Sequence, residues 1–163
     1  MLDEAIRFLR RYRFPYPWVP VWSLATCLAG LFVAGILYLL GVEIPESVMD
    51  RLWTSPGVDL VLDVIVAPLL ETALLLALFG ALSLRLRPLA AAVGSALVMA
   101  GLHAVVWWGW GLIALLPFLA FSLPMAARIR PGRAFLVSAA MHGFHNLYVL
   151  LLSELVVRPG AAG

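Results

Sequence analysis

The sequence predicts an all-α, polytopic transmembrane helix bundle in a single domain, with about five spans and an interfacial amphipathic helix at the N-terminus. Three observations carry this. Of 163 residues 64% are hydrophobic and only 12% charged, about half the charge of a soluble domain. Mean hydropathy is +1.03. The apolar residues also fall into separate runs, each close to the ~20 residues that a bilayer requires. Residues 1–163 contain no repeat, no low-complexity tract and too little polar sequence for a second, soluble domain.

Residues 1–16 open the chain with Leu2, Ala5, Ile6 and Leu9 at helical spacing among Arg7, Arg10, Arg11 and Arg13. That pattern suits a helix lying on the membrane surface. Pro15, Pro17 and Pro20 end it before the first span. Spans are expected near residues 19–40, 58–82, 89–107, 112–127 and 134–156. The first run is too long for the core of a cleavable signal, and more spans follow it. The fourth is the shortest and holds Pro117 and Pro124. Trp18, Trp22, Trp53, Trp107, Trp108 and Trp110 fall near span ends, where tryptophans anchor at the interface.

All eleven basic residues are Arg, a bias that suits a bacterial chain from a GC-rich genome. Nine of the eleven lie before the first span or after the second and fourth. A bacterial inner-membrane protein is expected, and the positive-inside rule then predicts a cytoplasmic N-terminus and an external C-terminus. A net charge of +2 gives no reason to expect nucleic acid, and the bilayer is the implied partner. Cys27 alone makes no internal disulfide and reads as a small buried residue of the first span.

Four polar side chains interrupt this apolar sequence. Glu71 lies inside the second span, His103 inside the third, and His142 and Asn146 inside the fifth. A carboxylate at bilayer depth costs a few kcal/mol at least and usually marks function. On a rise of ~1.5 Å per residue, Glu71, His103 and the His142/Asn146 pair stand roughly 20, 23 and 13–19 Å from the arginine-bearing ends. They share one layer, so the second, third and fifth spans are expected to touch there. His142 and Asn146, four apart, share a helix face; His145 joins that face only in part.

Pro68 lacks an N–H and is expected to kink the second span beside Glu71, freeing a carbonyl and admitting water. Gly101 and Gly143 are expected to permit close helix approach next to His103 and His142, as are the small residues of 90–96. Asp63 reads as a water-exposed carboxylate near the outer end of its span.

The residue types suggest a chemistry. A poorly solvated carboxylate can act as general base toward water, and an imidazole opposite can hold and polarise that water. A second imidazole and a carboxamide can donate to a developing oxyanion. Together these describe amide hydrolysis without a covalent intermediate. Each side chain also has a plainer reading: a membrane His or Asn as an interhelical hydrogen bond, a buried Glu as a proton site in transport.

The runs Val66-Ala-Pro-Leu-Leu-Glu71-Thr-Ala-Leu-Leu-Leu76, Met99-Ala-Gly-Leu-His103 and His142-Gly-Phe-His-Asn146 resemble the three motifs of the CPBP family. These are the CaaX-processing and bacteriocin-processing membrane proteases, with EExxxR, FxxxH and HxxxN in that order on separate spans. The resemblance covers roughly residues 63–148. It implies a glutamic-type intramembrane endopeptidase that needs no cofactor or metal. Glu71 and His103 would activate water, and His142 and Asn146 would form the oxyanion hole. Thr72, His145 and Pro68 stand as possible supporting residues.

The second Glu of the family is Thr72 here, its Arg is Leu76, and its motif-two Phe is Met99. The lost Glu and Arg are spaced i, i+4 and are absent together, which reads as a support pair replaced jointly. Removing one partner alone strands a buried charge, at about 3–5 kcal/mol. The short chain resembles the sortase-like bacterial members, whose substrates are membrane-anchored proteins with a C-terminal tag and transmembrane helix. Two other classes remain compatible with the residues. One is a zinc hydrolase using His103, His142, His145 and Glu71. The other is non-catalytic: an immunity or scaffold protein, or a proton-coupled carrier.

Overall fold

A computed structural model describes residues 16–45, 60–127 and 129–157. The expected surface helix lies outside the described residues except for its last residue, which begins a short 3-10 turn, Tyr16–Trp18. Trp53 also lies outside them. Among the described residues all regular structure is helical. Helix α1 is Val19–Leu39, α2 is Ala67–Ser83 running on from a π-helical turn Leu62–Val66, α3 is Pro88–Val106, α4 is Trp108–Ala126 and α5 is Pro131–Val157. All five, counting α2 with its π turn, are long and apolar enough to cross a membrane. The chain therefore forms the multi-pass all-α bundle that its apolar runs predict.

Prolines mark several starts. Pro20, Pro88 and Pro131 sit at or next to the first helical position, where the missing N–H costs nothing. The fourth span departs from expectation. It begins at Trp108 rather than near Leu112 and is as long as α3. The reversal needs only Trp107, extended at φ −159°, ψ 126°. Gly111 serves the crossing rather than a loop: a Cβ there would lie 2.6 Å from Ala104 Cβ and 2.8 Å from the Ala100 carbonyl oxygen.

Helix α4 is the centre of the bundle and packs against the other four helices. Its Phe118, Phe121 and Met125 are buried with Leu75 of α2, Ala96 and Met99 of α3, and Val137 and Met141 of α5. The small buried residues Ala91, Ala92, Ser95 and Ala96 of α3 fit the close approach expected of them. Ser138 of α5 donates to the Phe121 carbonyl of α4 at 2.6 Å. Helix α2 is the least buried of the spans, so Glu71 sits on a peripheral helix. Cys27 is free and buried in α1.

Candidate functional site

Glu71 lies in the second turn of α2, on the face turned toward α3 and α5. Its Oε2 is 3.8 Å from Nε2 of His103 and 3.8 Å from Nε2 of His142. Three spans thus bring one carboxylate and two imidazoles to a common point, as the depth estimate requires. The side chains are 29% (Glu71), 18% (His103) and 7% (His142) exposed, graded from the lipid-side helix inward. A separation of 3.8 Å is too long for a direct hydrogen bond and is the kind of gap across which water commonly connects polar groups.

The backbone fixes the tautomer of His103. Its Nδ1 lies 2.9 Å from the Met99 carbonyl oxygen, one turn earlier. A carbonyl only accepts, so Nδ1 carries the hydrogen, and Nε2 of the neutral ring faces Glu71 as an acceptor. His142 is held differently, by rings. It stacks on Phe121 at 4.7 Å and 23° and meets Phe118 edge-on at 5.5 Å. Among the described residues no hydrogen bond engages its buried Nδ1, so the Nε2–H tautomer is open to it as a donor.

Sequence reasoning missed the aromatic wall. Trp110 and Phe118 of α4 pack on the His103 ring at 5.3 and 5.0 Å, and Phe118 and Phe121 enclose His142. Trp110 is partly exposed and also faces the site, whereas Trp18, Trp22 and Trp108 are exposed. At 100° per residue, Trp110, Phe118 and Phe121 fall on one face of α4. That pattern was the available signal.

His145 turns to α1 instead. The Thr26 hydroxyl donates its one hydrogen to the Ser23 carbonyl at 2.8 Å, so at 2.9 Å it accepts from the Nδ1–H of His145. This is an interhelical bond of the plain structural kind, and it withdraws the third imidazole from a zinc-ligand set. Among the described residues no three His, Cys, Asp or Glu side chains are grouped to hold a metal ion. Replacing His145 with Leu should cost about 0.6–2 kcal/mol in thermal unfolding in detergent and leave the Glu71 cluster assembled.

Asn146 also departs from its expected direction. Its Nδ2 donates at 2.6 Å to the backbone carbonyl of Asp63 in the π turn, so the amide nitrogen assigned to an oxyanion is bonded to main chain. A π-helical turn, Leu62–Val66, lies just before Pro68. Gly143 makes the expected close approach, with Val64 O 2.7 Å from where its Cβ would be; Gly101 has nothing within 4 Å and is exposed. Thr72 is buried beside Glu71 with its hydroxyl unbonded, while Leu76 packs on the core and Met99 lies within it. Positions 72 and 76 are thus filled by side chains that bring no charge. No family model, curated protein or solved structure matches the chain.

Proposed function

We propose that this protein is an intramembrane glutamic-type endopeptidase, a compact bacterial relative of the CaaX-processing and bacteriocin-processing membrane proteases. The observation that carries the reading is the equal 3.8 Å approach of two imidazole Nε2 atoms to one carboxylate oxygen at bilayer depth. Glu71 removes a proton from water while the Nε2 lone pair of His103 accepts the other water hydrogen. The hydroxide attacks the peptide carbonyl carbon, and the oxyanion that forms takes a hydrogen bond from His142 Nε2–H. The Glu71 proton then passes to the leaving nitrogen, the C–N bond breaks, and the new carboxylic acid passes its proton to the amine, so that a carboxylate and an ammonium are released.

The substrate is a membrane-anchored protein, cut near a C-terminal sorting tag followed by a transmembrane helix. The resemblance supplies that class. The exposed outer face of α2, including Leu70 and Leu74, gives a substrate helix a route to Glu71 from the lipid. Arginine distribution supports an inner-membrane location, with the N-terminus in the cytoplasm and the C-terminus outside.

The test is to map new protein termini in membranes of cells carrying wild type or Glu71→Gln at matched expression. Specific termini lost in the variant, with longer precursors accumulating, support proteolysis and identify the substrate. Identical termini in both strains, under conditions where the gene is required, contradict it.

A further inference from the structure

The turn that precedes Glu71 is built in a register that its own sequence cannot complete. The N–H of Ala67 donates to the Leu62 carbonyl, five residues back, which is the π-helical pattern. One residue later the same register requires an N–H at position 68 for the carbonyl of Asp63. Position 68 is proline and has none. The missing hydrogen arrives from another helix, as Asn146 Nδ2–H at 2.6 Å. The adjacent carbonyl, Val64 O, would lie 2.7 Å from a Cβ at position 143, where α5 carries glycine. Pro68, Gly143 and Asn146 therefore meet at one joint: the first removes a donor, the second lets α5 approach, and the third replaces the donor.

Resting on the proposed endopeptidase reading, we infer that Asn146 is a positioning residue, which clasps the π turn and thereby sets the distance between His142 and Glu71. The same helix face carries both contacts. Asn146 fixes α5 to the start of the second span, and His142, one turn earlier on α5, then meets Glu71 further along that span. Two points fix how α5 crosses α2. Without the clasp α5 is free to slide or rotate on α2, and His142 moves relative to the carboxylate. Asn146 thus acts through His142 and need not touch the reacting atoms.

The dependence on Pro68 gives a test. In a Pro68→Ala background an N–H is restored at position 68. The Asp63 carbonyl then has a partner within its own helix, from residue 68 in the π register or from residue 67 in the α register. Asn146 becomes dispensable there and nowhere else. The full chain in detergent micelles, carrying 13C-carboxyl-labelled Glu, would be compared as wild type, Asn146→Leu, Pro68→Ala and the double variant. Glu71→Gln assigns the Glu71 carboxyl signal.

The expected result is that Asn146→Leu lowers the Tm by several degrees and shifts the Glu71 signal, and that both effects vanish between Pro68→Ala and the double variant. A folded Asn146→Leu with an unmoved Glu71 signal would overturn the inference, because a role in stability alone predicts that. A double variant as perturbed as Asn146→Leu would also overturn it. Should Asn146→Leu alone fail to fold, recovery of folding in the double variant supports the clasp and continued failure refutes it. None of these readouts requires a substrate, so absent hydrolysis would count against the endopeptidase reading alone. Where cleavage is measurable, recovery of kcat in the double variant relative to Asn146→Leu separates positioning from direct donation to an oxyanion, which Pro68→Ala would not rescue.

Discussion

Glu71→Gln is expected to abolish cleavage, lowering the rate by about 10²–10⁴-fold, and to leave the protein as stable as wild type or more so. The two halves of this expectation have one cause. The Glu71 carboxylate lies among apolar spans, and its Oε2 accepts no hydrogen bond from the described residues. It therefore brings a desolvation cost to the fold with little direct return. Gln keeps the shape and removes the charge, so the cost falls, while the group able to take a proton from water is lost. A carboxylate retained for structure behaves oppositely, losing stability on neutralisation. Paired measurements of single-turnover cleavage and detergent Tm separate the two. A drop in Tm with cleavage retained would identify Glu71 as a structural residue.

Gly143→Ala is expected to cost about 1–3 kcal/mol of stability, the usual range for forced overpacking. The added Cβ meets a backbone oxygen, Val64 O, at 2.7 Å, and backbone cannot swing aside as a side-chain tip can. Helix α5 must back away from the π turn, which also stretches the Asn146 clasp and draws His142 from Glu71. Activity should fall further than the unfolded fraction explains. Gly101→Ala is the control. It lies in α3, two residues before His103, with nothing within 4 Å of the new atom. There the change should be neutral or stabilising by up to about 1 kcal/mol through helix propensity. Equal effects at the two glycines, read from thermal unfolding in detergent, would contradict the close approach at Gly143.

The contrast between these glycines shows what a sequence of this kind discloses. Spans were legible because apolar length and proline placement report directly on membrane crossing. The convergence of Glu71, His103 and His142 was legible too, since depth along a span can be counted once orientation is assumed. Direction around the helix was the harder quantity. His145 lies three residues from His142 yet bonds Thr26 of α1, and nothing in the pattern of α5 says which neighbour it meets.

Gly109 and Gly111 look in sequence like turn residues between aromatic anchors. In the fold they lie within α4, and Gly111 is required by the Ala100–Ala104 surface of α3. Proline gave a similar ambiguity: the N–H missing at position 68 leaves the Asp63 carbonyl to another partner, and that partner, Asn146, lies on another helix. The aromatic wall went unseen because Trp and Phe are ordinary filling in membrane helices. Only their contacts with His103 and His142 set Trp110, Phe118 and Phe121 apart.

The uncharged side chains of Thr72 and Leu76 fit the packing around the site. Leu76 lies against the core and Thr72 is buried, so neither position calls for a charged partner. A lone carboxylate at position 72 would lie buried next to Glu71 and repel it. The proposed chemistry uses Glu71 with His103 and His142, and all three are present.

The account stands most directly on Glu71 and His103 working as one unit around a single water. The decisive measurement is single-turnover cleavage of the peptide identified by terminus mapping, for wild type, Glu71→Gln, His103→Ala and the double variant. Residues that act as a unit are grossly non-additive. The double variant should therefore cleave no more slowly than Glu71→Gln alone, with each single loss at about 10²-fold or more. Losses that multiply in the double variant, or a Glu71→Gln protein that cleaves at the wild-type rate, would contradict it.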